Sequence, residues 1–483
     1  MSRTLHGRAA LLAALSLLCA PIAVHAQEFD KLHFRSIGPA TMSGRISDLA
    51  IYEANPAIWY VGSAHGGVWK TTSNGALFTP LFQDQGLIAI GDVAVSQINP
   101  DLVWVGTGES NNRQSTSWGG GIYKSTDGCK TFAMMGLPQS KHINRIVMHP
   151  TNNDVVLVAA TGPLFGPGGE RGVYKTTDGG KTWKKILYID NKTGVGEMIM
   201  DPNNPNKIFV NMWEHRRYPW FFESGGASSG LYVTQDGGDN WKKLSAEENG
   251  LPKGNLGRMG LAISKANSSK VYALIESSKN ALYVSEDGGG KFSMINDKAE
   301  IGDRPFYYFE IHADPKNENR LYTLYSRVGI TEDGGKSFRE LLSYSGVHPD
   351  HHAWYINPND PSLLINGNDG GLNVSRDMGK TWFFAEGITV GQFYHINVDN
   401  EVPYNVYGGL QDNGSWYGKS TNKESIDWTD EGQYGFKRMG GGDGMQVQID
   451  PRDHNTVYTG SQFGAYMRIN KQNQGPKFLR PVP

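Results

Sequence analysis

Residues 171–186 read RGVYKTTDGGKTWKKI, and the chain repeats that phrase. GIYKSTDGCKTF precedes it from Gly121, GLYVTQDGGDNW follows from Gly230, and ALYVSEDGGGKF from Ala281. Each copy is a short alternating run ending in Ser or Thr, then x-Asp-x-Gly (with Cys129 in the glycine position of the copy at 121), then an aromatic residue. In Thr176-x-Asp178-x-Gly180-x-Thr182-Trp183, the carboxylate can accept backbone N–H groups across its own turn. The glycine can take a positive φ, and Trp183 is expected to go inward as apolar packing. Equivalent aspartates are Asp127, Asp236, Asp287, Asp333 and Asp377, while the first copy, Thr71-Thr72-Ser73-Asn74-Gly75, has none. A catalytic residue has no reason to recur at every hairpin of a series. These aspartates are expected to hold turns shut.

The same units appear when the chain is cut at a recurring strand end: Asn55-Pro56, Asn99-Pro100, His149-Pro150, Asp201-Pro202, Ser264-Lys265, Asp314-Pro315, Asn357-Pro358, Asp399-Asn400 and Asp450-Pro451. An apolar strand precedes each end (RIVMHP, YFEIHADP) and another follows (IWYVG, LVWVG, TVYTG). A third strand, the turn and a fourth strand complete the unit. Four antiparallel strands at a period of roughly 40 to 60 residues predict an all-β chain, a β-propeller of nine four-stranded, blade-like repeats. Residues 27–390 hold the seven units of the boxed series. Residues 391–483 hold two more and a Pro-containing tail, which either begin a second ring or complete one larger ring.

Composition agrees. Glycine numbers 61 of 483 residues, and aromatics make up 11%, a mixture suited to short strands and tight turns. The formal charge of −2 gives no basis for nucleic acid or an anionic membrane as partner. Residues 1–26 combine Arg3 and Arg8, the apolar run AALLAALSLLCAPIAV, and small Ala26 at the end, the pattern of a secretory signal peptide cut before Gln27. The expected product is a secreted or periplasmic monomer. Beyond Ala26 no segment is long and apolar enough to span a bilayer. Cys129 then stands alone, without an intrachain disulfide partner. No pattern asks for a cofactor.

In a propeller the loops between second and third strands converge on the channel, so chemistry is sought there. Those loops carry Ala64-His65 in unit 1, Glu109, Arg113 and Trp118 in unit 2, Asp369 in unit 7, and Gln411-Asp412-Asn413 in unit 8. Asp443 lies in GGGDGMQVQIDP. Unit 4 inserts MWEHRRYPWFFESGGASSG, whose Trp213, Arg217 and Trp220 combine flat apolar faces with donors, a surface suited to sugar rings or to protein. Trp118, Arg113, Gln411 and Asn413 join them as candidate substrate contacts. In SGVHPDHHAW, His348, Asp350 and His352 alternate and would share one side of an extended chain, a weak candidate set for a metal.

The Asp-x-Gly turn resembles the Asp-box of BNR-type propellers, found in sialidases, sortilin-type receptors and two-propeller xyloglucan-hydrolysing glycoside hydrolases. Together with GTGESNNRQS, HPDHHAW, GNDGG, GGLQDNGSW and GGGDG, the chain resembles bacterial exported sortilin/BNR-repeat proteins often labelled glycosyl hydrolases. The xyloglucan hydrolases place carboxylates in the second-to-third-strand loops, within TDIGG and GDIGG. The resemblance implies that Asp412 is one catalytic acid. Ala64 stands where the other would fall, and Asp369 is expected to replace it, with Asp443 and Glu109 as alternates. Similarity of FRSIGP to the sialidase FRIP makes Arg35 a candidate carboxylate binder. The function so implied is a carbohydrate-active protein cleaving or binding a polysaccharide. The alternative is a non-enzymatic sortilin-like propeller that binds peptide or protein.

Overall fold

The computed structural model describes residues 35, 37–38, 43–423, 435–472 and 474–479. The signal segment, 1–26, lies outside the described residues. Among these residues the strands form nine antiparallel sheets, each laid down in chain order, and the only α-helix is the single turn Ala246–Asn249. They are numbered here as sheets 1 to 9, spanning 46–80, 90–134, 143–187, 193–243, 259–296, 310–342, 351–384, 393–440 and 447–478.

Sheet 3 shows how the sequence dictates the unit. Ile143–His149 pairs with Asn152–Ala160, that strand with Gly172–Thr176, and Gly172–Thr176 with Lys184–Leu187. The second strand from Val156 to Ala160 and nearly all of the third are buried because both their faces meet neighbouring sheets, so these stretches read as apolar runs. The fourth is short and exposed, which leaves a blunt outer edge.

The turn that opened the sequence reading is closed by its own side chains. The Asp178 carboxylate takes the Thr176 hydroxyl at 2.8 Å, the Thr182 N–H at 3.0 Å and the Thr182 hydroxyl at 2.6 Å. The Gly180 N–H donates to Thr176 Oγ1 at 2.9 Å, and Gly180 has φ of 94°. Asp127, Asp236, Asp333 and Asp377 repeat the pattern with their own neighbours. In the first copy Ser73 occupies the aspartate position: its hydroxyl meets Thr71 Oγ1 at 3.2 Å and accepts the Leu77 N–H at 3.0 Å. Trp183 lies edge-on to Trp104 of sheet 2, with centroids 6.0 Å apart, and donates its indole N–H to the Met135 carbonyl.

Lysines on the third strands tie each sheet to the next. Lys70 donates to the Gly128 carbonyl (3.1 Å), Lys124 to Gly179 (2.8 Å) and Lys175 to Gly237 (2.7 Å). Each bond reaches the turn of the following unit. Sheet 7 in turn packs on sheet 1: Ala353, Ile365, Leu372 and Val374 share one apolar core with Ile46, Trp59, Val61 and Trp69. Sheets 8 and 9 stand apart from this core. The first strand of sheet 8, Phe393–Val398, exposes nearly every side chain, whereas the first strand of sheet 1 is largely buried.

Candidate functional site

The loops between second and third strands meet as expected, and they meet around a residue the sequence reading passed over. Arg45 precedes the first strand of sheet 1 and is buried. Its Nη1 lies 3.0 Å from Glu109 Oε1 and its Nε 3.0 Å from Asp369 Oδ1. The same Nε donates to the Tyr307 hydroxyl at 3.0 Å, and Nη2 lies 3.8 Å from Asp412 Oδ2. Arg113 runs parallel to it, with Nη1 donating to the Tyr307 hydroxyl at 2.9 Å and lying 3.6 Å from Asp369, and Nη2 3.7 Å from Asp412. Tyr307 passes its proton toward Asp369 Oδ2 at 2.7 Å, and His352 Nε2 lies 2.7 Å from Asp369 Oδ1.

Asp369 and Asp412 therefore occupy one charge network with opposite fates. Burial alone would raise the Asp369 carboxyl, but the Arg45 guanidinium, His352 and the Tyr307 hydroxyl outweigh it and hold it ionised far below the usual carboxylate range. Asp412 is pushed up to about 9 by burial and by the negative charges of Asp369 and Asp443, against the pull of Arg45. Burial also raises Glu109 to about 7, against Arg45, and lowers His65 to about 4 with the help of that same guanidinium.

The local backbone explains the placement. Asp412 has φ of 60°, and its N–H donates to Asp443 Oδ1 at 2.8 Å. Gln462 grips the other oxygen of Asp443 at 2.6 Å. Gly370 passes the ring of His348 so closely that a Cβ there would fall 2.4 Å from it, which explains the small residue after Asp369. Asn413 donates to the Asp369 carbonyl (3.1 Å), and Gln411 accepts from Ser115 (3.3 Å). Both are buried and brace the loops instead of facing solvent.

Several expectations change here. Asp369, expected as an open catalytic carboxylate, is 1% exposed and fully partnered, so it cannot meet a substrate. Glu109 is likewise sealed, its side chain 0% exposed. Trp213 is buried, stacked on His215 with centroids 4.4 Å apart, and presents no face to a ligand. Arg217 is buried against Phe222 and Phe306. Trp220, by contrast, is 77% exposed at the tip of that hairpin, and Trp118 is exposed beneath Lys141. The alternation assumed for His348, Asp350 and His352 is broken by Asp350, whose φ is 63°. His348 reaches the Asp412 carbonyl while His352 reaches Asp369, and among the described residues no group of three or more His, Cys, Asp or Glu could hold a metal. Arg35 bonds to the Ser420 and Asn422 carbonyls of sheet 8, away from the cluster. At Ala64 the backbone N–H donates to the Arg45 carbonyl, and the neighbouring His65 faces Glu109 at 3.8 Å.

Residues 120–270 match the family model described as sortilin, neurotensin receptor 3 (Sortilin-Vps10). The chain is a β-propeller that resembles the sortilin family over that stretch. It resembles xyloglucan-hydrolysing glycoside hydrolases as well. It is 22% identical over 244 residues to the oligoxyloglucan-reducing end-specific xyloglucanase of Emericella nidulans, covering 48% of this chain and 27% of that one. It is 25% identical over 351 residues to a xyloglucanase of a Paenibacillus species, covering 70% of this chain and 30% of the relative. The propeller thus spans under a third of the curated relatives it matches. Among solved structures, the GH74 enzyme of Niastella koreensis superposes with a TM-score of 0.62 at 15% identity, over 92% of this chain and 67% of that one. That likeness concerns the fold. Among the described residues no helix of the propeller is long and apolar enough to cross a membrane.

Proposed function

We propose that this propeller is an exported, glycoside-hydrolase-like protein that cleaves a polysaccharide with Asp412 as proton donor. One observation carries the reading. Asp412 is the cluster carboxyl that both keeps its proton near neutral pH and opens to solvent, its side chain 24% exposed. A glycosidic oxygen needs a proton as its bond breaks, and a carboxyl held protonated by buried neighbours is a suitable source. Asp369 acts behind it, keeping Arg45 and Arg113 in place and raising Asp412 by its fixed charge.

The partner carboxylate is Asp443, on the segment between sheets 8 and 9. It is half-buried and accepts the Asp412 N–H, whereas Asp369 touches Asp412 and leaves no room between the two for a sugar or a water. Sheets 1 to 7 form one closed ring in this reading, supported by the core shared between sheets 7 and 1, and sheets 8 and 9 begin a second. The active groups then sit at the junction of the two parts. A second reading, a binding propeller for peptide or protein, draws support from the burial of Asp369 and Glu109, which leaves fewer open carboxylates than a hydrolase normally presents.

Reducing-sugar release from a panel of purified polysaccharides separates the two. Hydrolysis that disappears in Asp412→Asn supports the enzyme, and no release from any glycan, with a glycan or peptide still bound, supports the binder.

A further inference from the structure

A second site lies on the axis of the ring, at the end away from Arg45. Arg258, just before the first strand of sheet 5, donates to the Tyr307 carbonyl at 3.2 Å, and His351 opens the first strand of sheet 7. These strands therefore start at the Arg45 cluster and run away from it. At their far ends the first strands of sheets 3 to 7 enclose a cavity of about 560 Å³, well within the range of small-molecule sites. Met148, Met200, Ile263 and Ile356 give it apolar walls, and Glu310 and His312 stand at its polar floor.

The charges of that floor do not balance. Arg145 is saturated: Nε and Nη2 take both Glu197 oxygens at 3.0 Å each, and Nη1 lies 3.3 Å from Asp92 and 3.7 Å from Asp48. The other guanidinium, Arg258, reaches Glu310 Oε1 only at 3.9 Å. Arg145, Glu197 and Glu310 line the cavity, and behind them Asp48, Asp92, Glu276 and Arg258 complete a group in which carboxyls outnumber guanidiniums. Burial raises both the Asp48 carboxyl, to about 6, and the Asp92 carboxyl, against the pull of Arg145. Burial alone would raise Glu310, but its hydrogen bond with His312 and the charges of Arg145, His312 and Arg258 outweigh it and keep it ionised, one oxygen 3.9 Å from Arg258 and the other 3.4 Å from His312 Nε2. Glu53 and Lys265 at the mouth offset one another.

We propose that this cavity binds an amphiphilic organic cation, with a primary ammonium head on Glu310 and an alkyl chain along the Met148, Met200 and Ile263 wall. The head adds N–H donors to the ionised Glu310, and each methylene buried against the wall strengthens binding by about fourfold. The site shares no residue with the Asp412 cluster and stands whether or not the chain hydrolyses glycans.

Calorimetry on the whole chain at about pH 8 tests this with three probes of equal chain length: octylamine, 1-octanol and octanoate. Octylamine should bind at least fivefold more tightly than octanol, with octanoate weakest. Glu310→Gln should remove the preference for octylamine while leaving octanol affinity unchanged. The probe series on the unaltered protein decides the matter even if that variant fails to fold. Equal or tighter binding of octanoate, or no binding of any probe up to about 10 mM, overturns the proposal.

Discussion

The Asp443 carboxylate accepts the backbone N–H of Asp412 at 2.8 Å, and so fixes a residue whose φ of 60° is a left-handed conformation. Non-glycine residues adopt it seldom and at a cost, and they persist there when neighbours hold them. Asp443 has a second effect, because its charge helps to keep the proton on Asp412. Asp443→Asn retains an oxygen acceptor but removes the charge. Because Asp443 is also the partner carboxylate, turnover should fall sharply, and in the activity that remains the alkaline limb of the pH–rate profile, set by Asp412 near 9, should move to lower pH while the protein stays folded. An unmoved limb would show that Asp443 does not tune the acid.

The hairpin aspartates are predicted to matter for stability and not for turnover. Asp178→Asn should lower the melting temperature and leave the specific activity of the folded protein unchanged, because its partners all lie within its own turn. Intact melting with lost activity would reverse the assignment.

These turns also make stability depend on acid. Hydrogen bonds from Thr131 and Thr381 pull Asp127 and Asp377 down to about 2, below the value near 4 of an unfolded aspartate. A carboxylate lowered on folding contributes fully above its unfolded value and loses that contribution as pH falls through the folded one. The difference in melting temperature between the native chain and an Asp127→Asn, Asp377→Asn variant should therefore be level from neutral pH to about 5 and shrink between about 4 and 2.

Much of this was legible locally. The strand–turn–strand phrase carries its own hydrogen-bond partners within five residues, so the sheets could be read from it. The convergence of Glu109, Arg113, Asp369 and Asp412 followed from placing each on the same loop of its unit. Arg45 and Tyr307 were not legible, because Arg45 meets Glu109, Tyr307 and Asp369 across 64, 262 and 324 residues and no local pattern marks either one. Trp213 and Trp220 fall on one hairpin with opposite exposures, and composition does not say which ring turns inward. The role of Lys175 in VYKT was not legible either, since its partner carbonyl belongs to the next unit.

That staple gives a further prediction. Lys124 donates to the Gly179 carbonyl and lies 5.0 Å above the Trp104 ring. Lys124→Met keeps the aliphatic stem but loses the bond, and should cost about 1 kcal/mol in chemical denaturation. No change in midpoint would mean that the sheets are held by apolar packing alone.

Cys129 takes the glycine position of its turn, at φ of 71°, and its thiol is buried and pushed up to about 12. It should resist thiol reagents at pH 8 until the protein is unfolded. Rapid labelling of native protein would contradict its burial.

The central claim is that Asp412 gives up the proton while Asp369 only holds the frame. Asp412→Asn preserves shape and hydrogen-bonding capacity but cannot deliver that proton, and general acid catalysis typically contributes about 10²–10⁴-fold. Single-turnover hydrolysis of a polysaccharide that the native chain cleaves measures this most directly. The account predicts a fall of at least about 10²-fold with substrate affinity within a few-fold of native. Turnover surviving Asp412→Asn nearly unchanged would contradict it.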